Sequence, residues 1–199
     1  NSYTRIGGLE YDLYDGFEED LNNVLRDTEK AIEAIIYIAS KAPSPDIYHI
    51  CKILYFADKI HLENYGRQIC GDNYIAMKDG PVPSAVYDLL KDVRDSRHFA
   101  ASYEHAAKSF SVQSGGENLV EPLRSHIQDY LSESDTECLD ESISENGELS
   151  FDQLWNKSHD SAYDSASRNS EISIEAIIEP SIFVLLATFI FTSFPSIEL

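Results

Sequence analysis

The apolar positions of this chain recur at helical spacing over most of its central part. Ala31, Ile32, Ile35, Ile36, Ile38 and Ala39 form one such face behind Thr28, which suits an N-cap, and Lys41-Ala42-Pro43 closes the run. The next run is more apolar. Ser44, Pro45 and Asp46 suit an N-cap, a first helical position and the positive end of a helix dipole, and Gly66 suits a left-handed stop. The helix predicted between them has about 20 residues and a length of roughly 30 Å. At about 100° per residue, Lys52, Lys59 and Glu63 share one narrow stripe. Ile50, Ile53, Leu54, Phe56, Ala57, Ile60, His61 and Tyr65 cover most of the rest, which predicts a central helix buried on several sides. Asp58 interrupts that surface. A carboxylate there needs partners from the following loop, either backbone N–H groups or a side chain such as Lys78 or Arg67. Two roles stay open for it: a structural clamp, or direct contact with a ligand or partner.

The loop after Gly66 is punctuated. Gly71-Asp72-Asn73 is a turn cluster and Tyr74-Ile75-Ala76-Met77 a short extended run. In Asp79-Gly80-Pro81-Val82-Pro83 the glycine admits φ > 0 and the prolines fix φ, predicting a rigid loop over the central helix. Val82 precedes a proline, so the next helix starts no earlier than Ser84, which is read as its cap. Residues 94–108 are polar and ambiguous. Phe110–Gln113 and Asn118–Glu121 flank Ser114-Gly115-Gly116-Glu117, predicting a hairpin, the main β element, with the Tyr74 segment as a candidate third strand. Ser134 with Glu137, and Ser150 with Gln153, read as capping boxes for helices through about Asn146 (ended by Gly147) and about His159. Phe17–Leu25 forms a weak amphipathic helix, and Ile172, Ile174, Ile177 and Ile178 a short apolar element. The fold class predicted is mainly α within α+β: a single helical domain around a buried central helix, with a small antiparallel β element.

Charge changes the picture more than composition does. A hydrophobic fraction of 43% belongs to a folded chain, and 199 residues suffice for one core with appendages. The formal charge is −20, from 15 basic and 35 acidic residues. Residues 132–199 carry 2 Lys/Arg against 14 Asp/Glu, whereas residues 45–131 carry 9 against 12. Direct binding to a nucleic-acid backbone needs the opposite sign, while a basic partner would be steered in. Three cysteines without CxxC spacing suit a reducing, cytoplasmic setting rather than a disulfide framework or zinc site. Residues 1–16 contain no hydrophobic signal core. Ile182–Phe194 is a 13-residue uncharged run, shorter than the ~20 residues of a membrane span. It is read as a core element or partner-binding segment, with Phe183, Phe189 and Phe191 as its aromatic contacts.

Catalytic chemistry is not assembled by any motif. His49 and His61 are twelve apart, and His98, His105, His126 and His159 lack ligand-spaced partners. His159-Asp160 reads as a structural pair at a helix end. There is no P-loop, dinucleotide fingerprint, nucleophile elbow or HExxH, so a non-enzymatic role without cofactor or metal is expected.

One composite pattern is specific. Leu54-Tyr55-Phe56-Ala57-Asp58-Lys59, Tyr65-Gly66-Arg67, Gly71-Asp72, Tyr74-Ile75-Ala76-Met77, Gly80-Pro81-Val82-Pro83 and Tyr87-Asp88-Leu89-Leu90, in that order, resemble the signature of the Panacea domain. This is the SocA-like antitoxin family, with phage-associated GepA-type members. A weaker likeness runs through Leu131–Asp135 and Leu149–Phe151 to Ser158-His159-Asp160. The resemblance covers roughly residues 28–175, leaving 1–27 as an N-terminal extension and 176–199 as an apolar C-terminal appendage, both candidates for partner selection. It implies an antitoxin that neutralises a co-encoded toxin by direct protein contact. Family toxins include enzymes acting on tRNA or nucleotides, and the acidic surface here would cover a basic face. An adaptor delivering the toxin to a ClpX-type AAA+ protease is the alternative. A third reading is a phage-borne small-molecule effector or enzyme whose pocket is lined by Asp58, Asp72 and Tyr87. Partner contacts are expected at Asp58, Lys59, Asp72, Lys78 and Tyr87, and in the Phe183, Phe189 and Phe191 segment, with no nucleic acid or membrane. Self-association stays open.

Overall fold

The computed structural model describes residues 28–97 and 101–178, with the backbone of a short antiparallel pair, β1 (Thr4–Ile6) and β2 (Leu9–Tyr11). The predicted Phe17–Leu25 helix and the 182–194 run lie outside the described residues. From residue 28 the order is α1 (28–41), α2 (Ile47–Tyr65), β3 (Tyr74–Met77), β4 (Gly80–Pro83), α3 (Ser84–Asp95) and α4 (Ala101–Ser109). Then come β5 (Phe110–Val112), β6 (Val120–Pro122), a 3₁₀ turn (Gln128–Tyr130), α5 (Glu133–Asn146), α6 (Phe151–Ser158), α7 (Ser161–Asp164) and α8 (174–178). The fold is mainly helical with small antiparallel pairs, as the patterning predicts.

Two helices make the core. Residues 31–39 of α1 are all buried, Glu33 included. That carboxylate is tolerated because Arg124 grips both its oxygens (3.0 and 2.5 Å) and the Ile127 N–H donates at 2.7 Å. Ile50, Ile53, Leu54 and Ala57 of α2 join the same core, against Cys138 and Leu139 of α5.

The start of α2 differs from the sequence expectation. Its N-cap is Asp46, whose carboxylate accepts from the His49 N–H at 2.9 Å. Ser44 and Pro45 stay outside: Ser44 lies in a bend, and tertiary pairing claims the next two residues, the Pro45 carbonyl accepting from the Val120 N–H at 2.8 Å and Asp46 bridging to Leu119. Gly66 ends the helix as predicted, at φ 71°, with its N–H donating to the Leu62 carbonyl.

The Gly80–Pro83 stretch, expected as a rigid loop, is a strand. It pairs with β3 through a two-residue turn at Lys78–Asp79, in the register Tyr74↔Pro83 to Met77↔Gly80. Two prolines fit because β4 pairs on one side only among the described residues, so their missing N–H groups break no ladder. β3 does not extend the β5–β6 hairpin. Its other edge is taken by residues 169–172, through Asn169 N–H to Ala76 O (2.7 Å), Ala76 N–H to Ser170 O (2.9 Å) and Ile172 N–H to Tyr74 O (2.8 Å). The β5–β6 hairpin itself forms as predicted, with Val112 opposite Val120. The Ser150–Gln153 capping box of α6 and the Gly147 end of α5 are also as predicted. The box opening α5, however, is Ser132 with Asp135, two residues before the expected pair, because Asp135 is drawn into the core by Lys30.

Candidate functional site

Asp58 is fully buried on α2, and both of its oxygens are used. One accepts from the Ile69 N–H and the other from the Tyr74 hydroxyl, each at 2.6 Å. The loop supplies the backbone donor that the sequence calls for, but the side-chain donor is Tyr74 rather than Lys78 or Arg67. Lys78 is exposed at the β3–β4 turn, and Arg67 lies 2.9 Å from Asp135. Asp58 therefore ties the 67–74 loop to α2 and offers no surface to a partner. Burial raises its carboxyl to about 6, against the lowering effect of the Tyr74 and Ile69 bonds. A carboxyl whose folded pKa lies above its unfolded one stabilises most when protonated. Its contribution is thus full below about pH 4 and is lost as pH rises to about 6, by at most about 3 kcal/mol. Asp58→Asn is expected to flatten this part of the stability profile, measured by urea unfolding at several pH values between 4 and 7. An unchanged slope would contradict the assignment.

Asp72 is also buried, at 8% exposure, and acts across the loop. Its oxygens accept from the Ala85 N–H (3.0 Å) and the Val86 N–H (2.9 Å), which caps α3 from outside the helix. Ser84 begins α3 as expected but is not the cap; the formal N-cap, Pro83, has no side-chain donor or acceptor. Lys59 points elsewhere, pairing at 2.5 Å with Asp160. Asp160 also takes the Tyr55 hydroxyl and caps α7 through the Tyr163 N–H at 3.1 Å. Asp58, Asp72 and Lys59 thus hold loop, helix start and α7 in place. Phe183, Phe189 and Phe191 lie outside the described residues.

Lys78 and Tyr87 both line a groove of about 470 Å³ between α2, the β3–β4 turn, α3 and the 168–169 segment. Of Asp58, Asp72 and Tyr87, only Tyr87 lines it. Sequence reasoning missed Lys52 and Arg168, which line it too. Lys52, placed on a polar stripe by its spacing, is fully buried, and its Nζ donates to the Pro81 carbonyl at 2.8 Å. Burial lowers its ammonium to about 8, which leaves it mostly charged at pH 7. The signal for it is a lone cation in an otherwise apolar helix turn. Gly80 makes room for it: at φ 99°, a Cβ would lie 2.7 Å from Nζ and 2.6 Å from Ser158 Oγ.

The outer face of α5 has the opposite sign. Cys138, Leu139, Ser142 and Asn146 turn inward, while Glu133, Glu137, Asp140, Glu141 and Glu145 are exposed along the other side. Lys41 and Lys157 reach Asp140 and Glu145 through surface ion pairs, and Tyr65 donates to Glu137. Beside it α6 exposes Phe151 and Trp155. Among the described residues, one cluster has ligand atoms close enough for a metal: Glu29, Glu33 and His105, within 4.8 Å of one another. There Arg124 already pairs with Glu33, and the His105 ring sits 3.0 Å from Glu29, so the cluster is satisfied by protein contacts as it stands.

A family model for antitoxin SocA-like proteins, Panacea domain, matches residues 50–163, from the first turn of α2 into α7. The chain belongs to this SocA-like, Panacea-domain antitoxin family. No solved structure matches it. Among the described residues, no helix is long and apolar enough to cross a membrane.

Proposed function

We propose that this chain neutralises a co-encoded protein toxin by direct contact, setting its acidic outer surface over a basic, RNA- or nucleotide-handling face of the toxin. The observation that carries the reading is the antitoxin-family match over residues 50–163, which contains the acid-lined α5. In such a pairing the charge serves encounter and discrimination, while exposed aromatics such as Trp155 and Phe151 supply apolar anchoring. The shared domain acts as a scaffold, and residues 1–27 and 176–199, with Phe183, Phe189 and Phe191, adapt it to one toxin.

The test is co-expression with each neighbouring open reading frame, scored by growth and by affinity capture. The expected result is a neighbour that arrests growth alone, is harmless with this chain, and is recovered with it in a stable complex. Toxicity that persists in the presence of this chain for every toxic neighbour would overturn the reading. Rescue without a recoverable complex would overturn direct contact.

A further inference from the structure

Cations are scarce in this chain, and most are paired. Of the thirteen Lys and Arg side chains among the described residues, nine lie within ion-pair distance of a carboxylate. The other four are Lys52, Lys78, Lys108 and Arg168, and all but Lys108 line one groove, beside the β3–β4 turn. With 35 acidic residues available, three cations gathered without a carboxylate partner do not follow from composition. Like charges brought together repel one another, so their gathering needs an anion to offset it; Asp79, Asp46 and Asp152 act only through space, on Tyr48, and Asp79 also on Lys52. Asp79 is the one carboxylate lining the groove; it sits exposed at the turn and forms no ion pair among the described residues. Arg94 also lines it but is held by Asp95 at 2.7 Å.

The rest of the lining is mixed, with three aromatic rings, Tyr48, Tyr87 and Phe151, among aliphatic and amide side chains. Tyr48 packs on Phe151 with ring centroids 4.5 Å apart, and its buried hydroxyl has no hydrogen-bond partner among the described residues. Tyr87 borders the same space. A volume of about 470 Å³ lies within the range of sites that hold one small molecule, and is small for a peptide in extended form. The walls are tied together before any ligand arrives: the 169–172 segment is hydrogen-bonded to β3, and Lys52 to Pro81 of β4. The Tyr48 ring is packed by Phe151 and the Lys52 ammonium, and Lys91 lies over one face of Tyr87, which leaves the other face of Tyr87 for a base. Exposed lysine and arginine donors matched to phosphate oxygens, beside that ring, suit a phosphorylated nucleoside.

We propose that this groove is a nucleotide site, in which the exposed Lys78 and Arg168 take the phosphates, the buried Lys52 adds its charge from the wall without touching the ligand, and the Tyr87 ring lies beside the base. The site rests on this chain's geometry alone, so it stands or falls separately from toxin neutralisation.

The test is calorimetric titration of the full chain with ADP, adenosine and inorganic phosphate, repeated on Lys78→Ala/Arg168→Ala and on Lys108→Ala. Lys78 and Arg168 are exposed, so the double variant is expected to keep its fold, checked by circular dichroism. ADP is expected to bind saturably at one site. Adenosine, and ADP with the double variant, should each bind at least about tenfold more weakly, the loss set by charge-assisted bonds to phosphate. Lys108→Ala should bind ADP like the unmodified protein. Absence of saturable ADP binding, equal binding by adenosine, or equal binding by the double variant would each overturn the proposal. Displacement of ADP by a tighter-binding tetraglutamate peptide would also overturn it, assigning the groove to acidic peptides.

Discussion

Asp135→Ala is expected to lose about 2–3 kcal/mol of folding stability, the usual consequence of removing a capping carboxylate and leaving its N–H and cationic donors without an acceptor. Asp135 has no exposed surface, and one of its oxygens holds Lys30 of α1 at 2.8 Å and the Ser132 N–H at 2.9 Å. The other lies 2.9 Å from Arg67 and 3.2 Å from the buried His61 ring. One carboxylate therefore joins α1, α2, the turn after Gly66 and the start of α5. Burial alone would raise its pKa, but the Lys30 and Ser132 bonds outweigh that and hold it below the ordinary carboxylate value. The sign follows directly: this contribution is present above the unfolded value of about 4 and is lost as pH falls through the lower folded value. Asp58 runs the other way, weakening as pH rises towards 6. Urea unfolding at pH 7 tests the alanine variant. Because domains of this kind have only about 5–15 kcal/mol to lose, the midpoint should fall steeply, and a loss below about 1 kcal/mol would show that Asp135 is not a junction.

The second large effect is on binding. A variant carrying Glu133→Lys, Glu137→Lys and Glu141→Lys is expected to lose no more than about 2 kcal/mol and stay folded, since all three side chains are exposed, although Glu137 accepts from Tyr65 and Glu133 sits in the first turn of α5. Its affinity for the toxin identified by co-expression should nevertheless fall by at least about a hundredfold. Like charges set against each other across an interface cost several kcal/mol, and each ~1.4 kcal/mol is a factor of ten. Growth rescue should fail in parallel. Full rescue and unchanged affinity would move the contact away from α5, to residues 1–27 or 176–199.

Local chemistry makes most of the elements legible in the sequence. The left-handed Gly66 stop, the Ser150–Gln153 box, the Gly-Gly hairpin and the earliest start of α3 at Ser84 each depend on residues adjacent in the chain. The buried central helix is equally plain, because an apolar circumference has only one stable environment. What the chain alone leaves undecided depends on partners distant in sequence. Asp46 rather than Ser44 caps α2 because Pro45 is claimed by Val120, more than seventy residues away. Asp72 caps α3 because a loop folds back over its first turn, which no spacing rule encodes. Lys52 reads as solvated on a helical wheel, yet Gly80 leaves just enough room to bury it against Pro81. The groove follows the same rule. Lys52, Lys78 and Arg168 come from a helix, a hairpin turn and a late turn before the segment that pairs with β3, and only the packing of those elements brings their charges together.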